Sequence, residues 1–416
     1  MAMKKIMGLL IFAVLGLMPF SGANAADTVK VAFMVPFSGP FANVGESWFK
    51  HARYVIDEIN ARGGVLGGRE FELVPMDNKN SPQEALMLLS QVADRGIQMI
   101  SFCCGSHVAV PLSEAVQRHN TRNPDRRILL LVSAGDQDIT NEKCSFWSFA
   151  FMSKGEIFAG VATTYLARQP NVKRVYLINQ DYVWGHQNQK FFREMLAKKR
   201  PDIQIVGDDL HPMGKVKDFA PYVAKIKASK ADVVMTANWG SDMILLVKAA
   251  ADTRLDAQFY TYYASLWGAP AVMGKAAVDK VKAIFRWHPN AGIEKEQIAM
   301  HEYQRRFDPD YGAMPSSNEF NMLAKAIDNS GSTDPLGVAY ALEDIRIQGN
   351  MGEVWMRPDD HQLFEPMYIM TLTSVNGKDV KYGLAGTNIG TRTDARIEIP
   401  ETIVPTRCQM KRPPKP

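Results

Sequence analysis

The stretch that decides the fold lies near the start of the chain, where residues 29–64 read VKVAFMVPFSGPFANVGESWFKHARYVIDEINARGG. Residues 29–37 form an apolar run typical of a buried strand, and a Ser-Gly-Pro sequence at residues 38–40 interrupts it. From about Glu46 apolar side chains recur at helical spacing, until the Gly-Gly pair at residues 63–64 ends the pattern. A strand followed directly by an amphipathic helix is the basic unit of a parallel α/β sheet.

The same alternation continues through most of the chain. A helix start is predicted at Ser81, because this capping residue is followed by a proline and by Glu84 at the third helical position. Short apolar runs predict strands at residues 29–37, 70–76, 98–103, 127–133, 174–179, 203–206, 232–237 and 258–263. Amphipathic stretches predict further helices near residues 155–166, 188–198, 219–227 and 243–251. Because the alternation restarts after residue 151, we predict two doubly wound α/β lobes.

The amino terminus has the layout of an export signal. Lys4 and Lys5 precede an apolar run at residues 6–20, and an Ala-Asn-Ala sequence ends at Ala25. This order predicts a signal peptide at residues 1–25 that is cleaved after Ala25. The run falls short of the roughly 20 apolar residues that a membrane span needs. No cysteine lies near the cleavage point to carry a lipid. We therefore expect a soluble mature protein in the periplasm.

The length and the net charge of the chain limit the classes of protein to which it can belong. Removal of residues 1–25 leaves 391 residues (416 − 25), enough for two lobes that each bury a sizeable core. The formal net charge falls from +4 to +2 when Lys4 and Lys5 are removed. This balance gives no reason to expect nucleic acid as a partner, and the basic residues at 411–416 are interpreted as a solvated terminus.

The cysteines fit an exported chain. Cys103, Cys104, Cys144 and Cys408 are all available for oxidation. A bridge between the neighbours Cys103 and Cys104 is sterically the least favourable pairing. We therefore expect Cys144 and Cys408 each to be joined to one of the neighbours, or a single bridge with two free thiols. No metal site is expected, because the sequence lacks a Cys-x-x-Cys spacing and a nearby histidine cluster.

The loops that follow the predicted strands locate a candidate site. Parallel sheets bind ligands beyond the carboxyl ends of their strands, where helix amino termini present unpaired N–H groups. The loops at these positions are residues 37–44, 103–107, 133–138, 181–186, 238–242 and 262–267. They are rich in glycine, which allows close backbone approach, in serine, which donates hydrogen bonds, and in flat aromatic side chains. Two facing lobes with such loops predict a clamp around a ligand.

Five segments resemble, in order, stretches of the Leu/Ile/Val-binding family of type I periplasmic binding proteins. They are VPFSGPFANVGES at residues 35–47, DEINARGGVLGG at 57–68, CCGSHVAVP at 103–111, NQDYVWG at 179–185 and KIKASKADVVMTANWGSD at 225–242. The resemblance implies a Venus-flytrap fold with three crossings between the lobes, near residues 148–151, 284–289 and 348–354. Lobe 1 is expected to comprise residues 26–148 and 288–350, lobe 2 residues 149–287 and 351–405, and a C-terminal tail residues 406–416.

The resemblance also implies a function. The chain is expected to be the monomeric, cofactor-free substrate-binding component of an ABC importer, which captures a small molecule between its lobes and passes it to a membrane permease. The alternative class is a soluble sensor that presents the ligand to a receptor. An enzyme is not expected, because the sequence has no Gly-x-Ser-x-Gly nucleophile turn and no His-Glu-x-x-His metal motif.

In lobe 1 the resemblance assigns ligand binding to two loops. Gly105 and Ser106 stand where the family uses serine and backbone N–H groups to hold a ligand carboxylate. The next loop commonly reads Ser-x-Ala-Ala-Thr in the family, and here it contains Ser133, Ala134 and, in place of a neutral hydroxyl, Asp136. An ionised aspartate in the cleft would repel a carboxylate. Its side chain therefore points away, is neutralised, or meets a donor group on the ligand.

In lobe 2 the matching positions are mostly aromatic. Trp184 replaces the usual tyrosine before a glycine, and Asn238 and Trp239 follow a strand where the family has aromatic residues. Tyr262 and Tyr263 begin the stretch where the family places an acidic residue that grips the α-ammonium of amino acids. Residues 262–266 contain no acid at all.

These departures favour one class of ligand. Burial of an ammonium group without a paired carboxylate is costly, which argues against a plain α-amino acid unless Asp136 or Asp242 has taken over the pairing. The gain of two indole rings favours a flat molecule. An aromatic or other apolar carboxylate is therefore the preferred ligand, and a branched-chain or other hydrophobic amino acid is the alternative.

Overall fold

The structure, a computed structural model, describes residues 28–311 and 316–416. The predicted signal peptide lies outside the described residues, so cleavage after Ala25 stays a prediction. Within the described ranges, no helix is both long and apolar enough to cross a membrane.

Strands and helices alternate along this part of the chain. In chain order the strands are β1 (Val29–Val35), β2 (Phe71–Asp77), β3 (Met99–Cys103), β4 (Leu129–Ser133), β5 (Ser148–Ala150), β6 (Arg174–Gln180), β7 (Gln204–His211), β8 (Val233–Thr236), β9 (Gln258–Thr261), β10 (Val281–Phe285), β11 (Arg346–Gly349), β12 (Gly352–Met356), β13 (Leu363–Phe364), β14 (Met367–Ser374) and β15 (Ile389–Ile397). The α-helices are α1 (Ala42–Ala61), α2 (Pro82–Asp94), α3 (Ser106–Arg122), α4 (Gly155–Ala167), α5 (Val183–Lys199), α6 (Ala220–Ser229), α7 (Ser241–Asp252), α8 (Ala269–Met273), α9 (Glu294–Arg306), α10 (Ser316–Ser330), α11 (Pro335–Leu342) and α12 (Ile399–Thr402).

Lobe 1 is built on a parallel sheet in the order β2-β1-β3-β4-β5. Every residue of β3 and β4 is buried, which explains the continuous apolar runs in their sequences. Helix α1 packs against α10, and α2 packs against α3. The predicted start of α2 is confirmed, because the Ser81 side chain accepts a hydrogen bond from the backbone N–H of Glu84.

Lobe 2 contains a larger sheet in the order β15-β14-β10-β9-β8-β6-β7. Strands β10, β9, β8, β6 and β7 pair in parallel, whereas β14 and β15 are added at one edge through antiparallel pairings. The prediction of two doubly wound α/β lobes is confirmed. The antiparallel edge is an addition that the alternation of strands and helices does not predict.

The chain passes between the lobes along three described connections: from β5 to α4, from β10 to α9, and through the small antiparallel sheet β11-β12-β13 to β14. These connections meet at Arg286. Its Nη2 donates a hydrogen bond to the carbonyl oxygen of Phe151 at 3.0 Å, and its Nη1 lies 2.8 Å from Glu365 Oε1. All three residues are buried. One guanidinium therefore joins the three connections at the hinge.

The two disulfides correct the expected pairing. Cys103 is bonded to its neighbour Cys104, and Cys144 is bonded to Cys408. The vicinal pair forms where β3 ends and Cys104 adopts a left-handed backbone conformation with φ of 81°. Successive side chains of a strand point to opposite faces, and this turn removes that alternation, so both sulfur atoms lie on one side. The second bridge ties the C-terminal tail to lobe 1, beside an ion pair between Arg407 and Glu142.

Candidate functional site

A cavity lies between the carboxyl ends of the parallel strands of the two sheets. This is the position at which doubly wound sheets bind ligands. The residues that line the cavity are Trp48, Cys104, Gly105, Ser106, Ser133, Ala134, Gly135, Met152, Tyr182, Trp184, Trp239, Tyr263 and Trp267.

Apart from Trp48 on α1, the lobe 1 wall is made of small residues and backbone. Gly105 and Ser106 lie at the start of α3, where the first N–H groups of a helix have no carbonyl acceptor within the helix. A side chain at Gly105 would place its Cβ 2.3 Å from Asn80 Oδ1, so only glycine fits there without displacement. The segment from Ser133 to Gly135 follows β4 and forms the adjacent part of the wall. This wall can present amide and hydroxyl groups to an anion.

The lobe 2 wall is aromatic. Trp184 lies in the first turn of α5, and its indole N–H donates to the carbonyl oxygen of Ala237 at 2.9 Å. The indole N–H of Trp239 donates to the hydroxyl oxygen of Tyr182 at 2.8 Å. Tyr263 lies with its ring centroid 5.1 Å from that of Trp267. These hydrogen bonds and ring contacts fix the aromatic planes before a ligand binds.

The two lobes are in contact around the cavity, so the structure represents a closed form. Phe41 of lobe 1 stacks on Trp239 of lobe 2 with ring centroids 4.1 Å apart. Asn43 Nδ2 donates to the carbonyl oxygen of Trp267 at 3.4 Å. A Cβ atom at Gly135 would lie 2.3 Å from Trp184 Cζ3, which shows how closely the two walls approach.

The polar groups at the cavity surface are neutral. No acidic or basic side chain is among the lining residues of the described chain. Burial raises the pKa of Tyr182 and of Tyr263 well above the usual phenol value, so both hydroxyls stay protonated. Because the Tyr182 oxygen already accepts from Trp239, its own proton is free to donate elsewhere. The indole N–H of Trp48 has no acceptor within the described ranges. The cavity surface therefore offers two neutral donors, the Tyr182 hydroxyl and the Trp48 indole.

The structure brings most of the residues predicted from the sequence to this cavity. The lining includes Gly105, Ser106, Ser133, Ala134, Trp184, Trp239 and Tyr263. Asn238 does not line it, because its amide group is buried inside lobe 2, 2.8 Å from His211 Nε2. Tyr262 does not line it either, because its ring packs against Phe158 in the core of lobe 2.

Asp136 and Asp242 also lie outside the cavity wall. Asp136 is buried, and its Oδ1 accepts a hydrogen bond from the backbone N–H of Asp138 at 2.7 Å. Burial raises the pKa of Asp136 to about 6. Asp242 accepts hydrogen bonds from Gln180 Nε2 and from the backbone N–H of Gly214, both at 2.7 Å. Neither aspartate lines the cavity, although both lie close enough to raise the pKa of Tyr182 in its wall.

Several lining residues escaped the sequence analysis. Trp48 is on α1 and appears in the sequence as an ordinary packing residue, yet it lies opposite Trp267 at 6.5 Å between ring centroids. Tyr182 belongs to the quoted NQDYVWG segment, and its position two residues before Trp184 could have identified it. Cys104 and Gly135 belong to the loops at residues 103–107 and 133–138 that locate the candidate site, although no pattern marks either residue individually. Met152 lies outside those loops.

Two doubly wound lobes closed over a shared cavity define a two-lobed ligand-binding protein of the type I periplasmic class. The sequence profile of the Periplasmic binding protein family matches residues 28–379, and the chain belongs to this family. Leu/Ile/Val-binding protein homolog 4 of Brucella melitensis is 29% identical over 411 residues, covering 96% of this chain and 97% of that protein.

Solved structures give the same result for the fold. The closed conformation of the leucine-, isoleucine-, valine-, threonine- and alanine-binding protein from Brucella ovis matches with a TM-score of 0.82 and 28% identity, covering 93% of this chain and 100% of that one. A Rhodopseudomonas palustris solute-binding protein solved in complex with benzoate matches with a TM-score of 0.75 and 17% identity, covering 92% and 99%. The chain is therefore a periplasmic substrate-binding protein of the ABC transporter type, a class that binds solutes and works with membrane permeases.

Proposed function

We propose that this protein captures an aromatic or other flat apolar carboxylate between its lobes. The observation that carries the proposal is the composition of the cavity wall, which combines indole and phenol rings with neutral hydrogen-bond donors and has no acidic side chain. Flat aromatic walls bury a flat guest over both faces, and apolar area removed from water contributes roughly 25 cal/mol per Å².

The lobe 1 wall supports the carboxylate part of the proposal. The amino terminus of α3 begins at Ser106, directly beside the cavity. Unpaired N–H groups and the positive end of the helix dipole favour a negative charge at this position. The free O–H of Tyr182 offers another donor from the opposite lobe. An anion can thus be held by neutral donors, without a basic side chain.

A branched-chain or other hydrophobic amino acid is the second candidate. It is favoured by the names of the Brucella relatives, which are 28–29% identical and described as binding leucine, isoleucine and valine or as homologues of such proteins. Against it stands the α-ammonium group, which would be buried here without a carboxylate partner. That arrangement is costly by several kcal/mol. The aromatic acid therefore has the stronger physical support.

A ligand screen tests this proposal. Thermal-shift assays with benzoate, leucine and a dicarboxylate, followed by isothermal titration calorimetry, should show that benzoate raises the melting temperature and leucine does not. Benzamide, which has the same ring and no charge, is the matched control and should bind more weakly than benzoate. Tight binding of leucine with no effect of benzoate would overturn the assignment.

We further propose that the closed protein, acting as a monomer, delivers its ligand to the permease of an ABC importer. Deletion of the gene should abolish uptake of radiolabelled ligand at low external concentration. A strain that keeps normal uptake but loses a transcriptional or behavioural response to the ligand would point to the sensor role instead. Size-exclusion chromatography with light scattering should give the mass of a single chain.

A further inference from the structure

Ser133 connects the cavity to a buried acid behind it. The serine lines the cavity, and its Oγ lies 3.2 Å from Oε2 of Glu319 on α10. Glu319 has no exposed surface. Its Oε1 has no hydrogen-bond donor of good geometry within the described ranges, although the Ser101 hydroxyl is close enough to lower the pKa of the glutamate. A ligand that contacts Ser133 is thus one hydroxyl away from a buried carboxyl group.

The charge balance at the hinge favours a proton on this acid. The cation that faces Glu319 is Arg286, and Arg286 already forms the buried ion pair with Glu365 at 2.8 Å. Two ionised glutamates beside one guanidinium would leave a buried net negative charge, which is costly. Burial raises the pKa of both carboxyl groups to about 7. Because Arg286 contacts Glu365 directly, Glu365 keeps its charge more readily as pH falls, and Glu319 is the group that takes up a proton first.

We propose that Glu319 is a positioning residue that sets the hydrogen-bond direction of Ser133 and couples the binding of a carboxylate ligand to the uptake of one proton. A protonated Glu319 donates to Ser133 Oγ, so the hydroxyl proton of Ser133 turns toward the cavity and donates to the ligand. An ionised Glu319 accepts the serine proton instead, and the lone pairs of Ser133 then face the ligand carboxylate. The proton comes from solvent and stays on Glu319 while the ligand is bound.

The sign of the pH dependence follows from this scheme. The complex binds more protons than the free protein, so affinity for a carboxylate falls as pH rises through the pKa of the free Glu319. Among the described residues, the groups that act on Glu319 are Arg286 and the hydroxyls of Ser101 and Ser133, and the two hydroxyls do not titrate in this range. Glu365 acts on the same Arg286. If only the protonated form binds well, affinity should fall on the order of tenfold between pH 6 and pH 8.

The test is calorimetry with benzoate, and with leucine as a second carboxylate, from pH 6 to pH 8 in buffers of different ionisation enthalpy. The wild-type protein should take up close to one proton per ligand at pH 8. Glu319→Gln should keep the pH 6 affinity and lose both the pH dependence and the proton uptake, because the amide is a permanent donor to Ser133. Glu296→Gln is the matched control. Glu296 is another buried glutamate of lobe 1 with a raised pKa, it lies outside the cavity wall, and its substitution should leave the wild-type profile intact.

Two results would overturn the coupling: a Glu319→Gln protein that retains the wild-type pH profile, or a folded Glu319→Gln protein that no longer binds at pH 6. This inference rests on a carboxylate ligand, and infrared spectroscopy of the ligand-free protein separates the two questions. A protonated carboxyl band at pH 6 that is missing in Glu319→Gln supports the proton assignment even if benzoate fails to bind. Absence of that band in the wild-type protein contradicts it whatever the ligand is.

Discussion

The two walls of the cavity differ in chemistry, and the difference separates two tasks. The lobe 1 wall consists largely of small residues at the end of β4 and the start of α3, where backbone N–H groups are accessible. The lobe 2 wall consists of large aromatic side chains fixed by hydrogen bonds to one another and to the backbone. Lobe 1 is therefore suited to hold a charged end, and lobe 2 is suited to cover a flat body. In the function that we propose, closure brings the aromatic wall of lobe 2 onto a ligand whose carboxylate is bound by lobe 1.

The largest change in ligand affinity is expected when part of the aromatic wall of lobe 2 is removed. Trp184→Ala should weaken benzoate binding on the order of 100-fold, because buried indoles dominate contact energy at sites of this kind. Titration calorimetry measures the loss. Trp355→Ala is the control, since Trp355 lies on the small sheet with its indole N–H bonded to Asp344. Equal benzoate affinity in wild type and Trp184→Ala would remove the argument for a flat ligand.

The close contact between the two walls in the closed form can be tested without changing the polar or aromatic character of either wall. Gly135→Ala adds one methyl group that would lie 2.3 Å from Trp184 Cζ3 in the closed form. Forced overpacking of this size typically costs 1–3 kcal/mol, so affinity should fall about tenfold while the open form stays folded. Small-angle scattering with saturating ligand should show a larger radius of gyration than wild type. Gly160→Ala on α4, whose added methyl would make an ordinary contact 3.6 Å from Met195 Sδ, should change neither quantity. A Gly135→Ala protein that closes normally would show that the walls need not meet here.

A smaller substitution removes one polar group from the aromatic wall and tests whether this group binds the ligand carboxylate. Tyr182→Phe deletes the one hydroxyl that accepts from Trp239 and has a proton left to donate. A hydrogen bond to a charged group is worth about 1.5–3 kcal/mol and to a neutral group about 1, so benzoate should lose about tenfold and benzamide clearly less. Tyr382→Phe, which removes a phenol that donates to Gln297 far from the cavity, is the control. Equal losses for the two ligands would contradict a direct bond to the carboxylate.

The difference between the two walls also explains how much of the fold and of the site could be predicted from the sequence. Strand runs such as residues 98–103 and 127–133 are buried on both faces, so their apolar composition predicts them within two residues. The loops after these strands supply the lobe 1 wall, because topology alone brings the carboxyl ends of parallel strands together. The resemblance to a family added Trp184 and Trp239 in lobe 2.

The remaining site residues depend on tertiary contacts that leave no local pattern. Trp48 has the spacing of a core residue on α1, and only the three-dimensional structure shows that it lies opposite Trp267 of lobe 2. After β9 ends, the Tyr262 ring packs in the core of lobe 2 and the Tyr263 ring lines the cavity. No local sequence pattern predicts which of the two tyrosines takes which position. The vicinal disulfide requires a left-handed residue at Cys104, which the sequence Cys-Cys-Gly does not specify.

Substitution of Asp136 should have the smallest effect on ligand affinity. It therefore tests whether the lobe 1 wall stops short of this residue. Asp136 is the acid closest in sequence to the lobe 1 wall, yet its carboxylate faces the backbone N–H of Asp138 and lies outside the cavity lining. Asp136→Asn should accordingly leave benzoate affinity within about twofold of wild type. A gain of tenfold or more in the variant would mean that the ionised aspartate repels the ligand after all.

Stability should respond to the same substitution with a defined sign. Burial raises the pKa of Asp136 from 3.8 to about 6, so between these values the folded protein binds more protons than the unfolded chain. Wild-type stability then loses a contribution as pH rises from about 4 to 6, and the full penalty of up to about 2–3 kcal/mol remains above pH 6. Asp136→Asn removes the titration, so the melting temperature of the variant minus that of the wild type should increase from pH 4 to pH 6 and then stay constant. A difference that decreases over this range would mean that the native carboxylate is stabilised, so that neighbouring groups such as Lys143 outweigh the effect of burial.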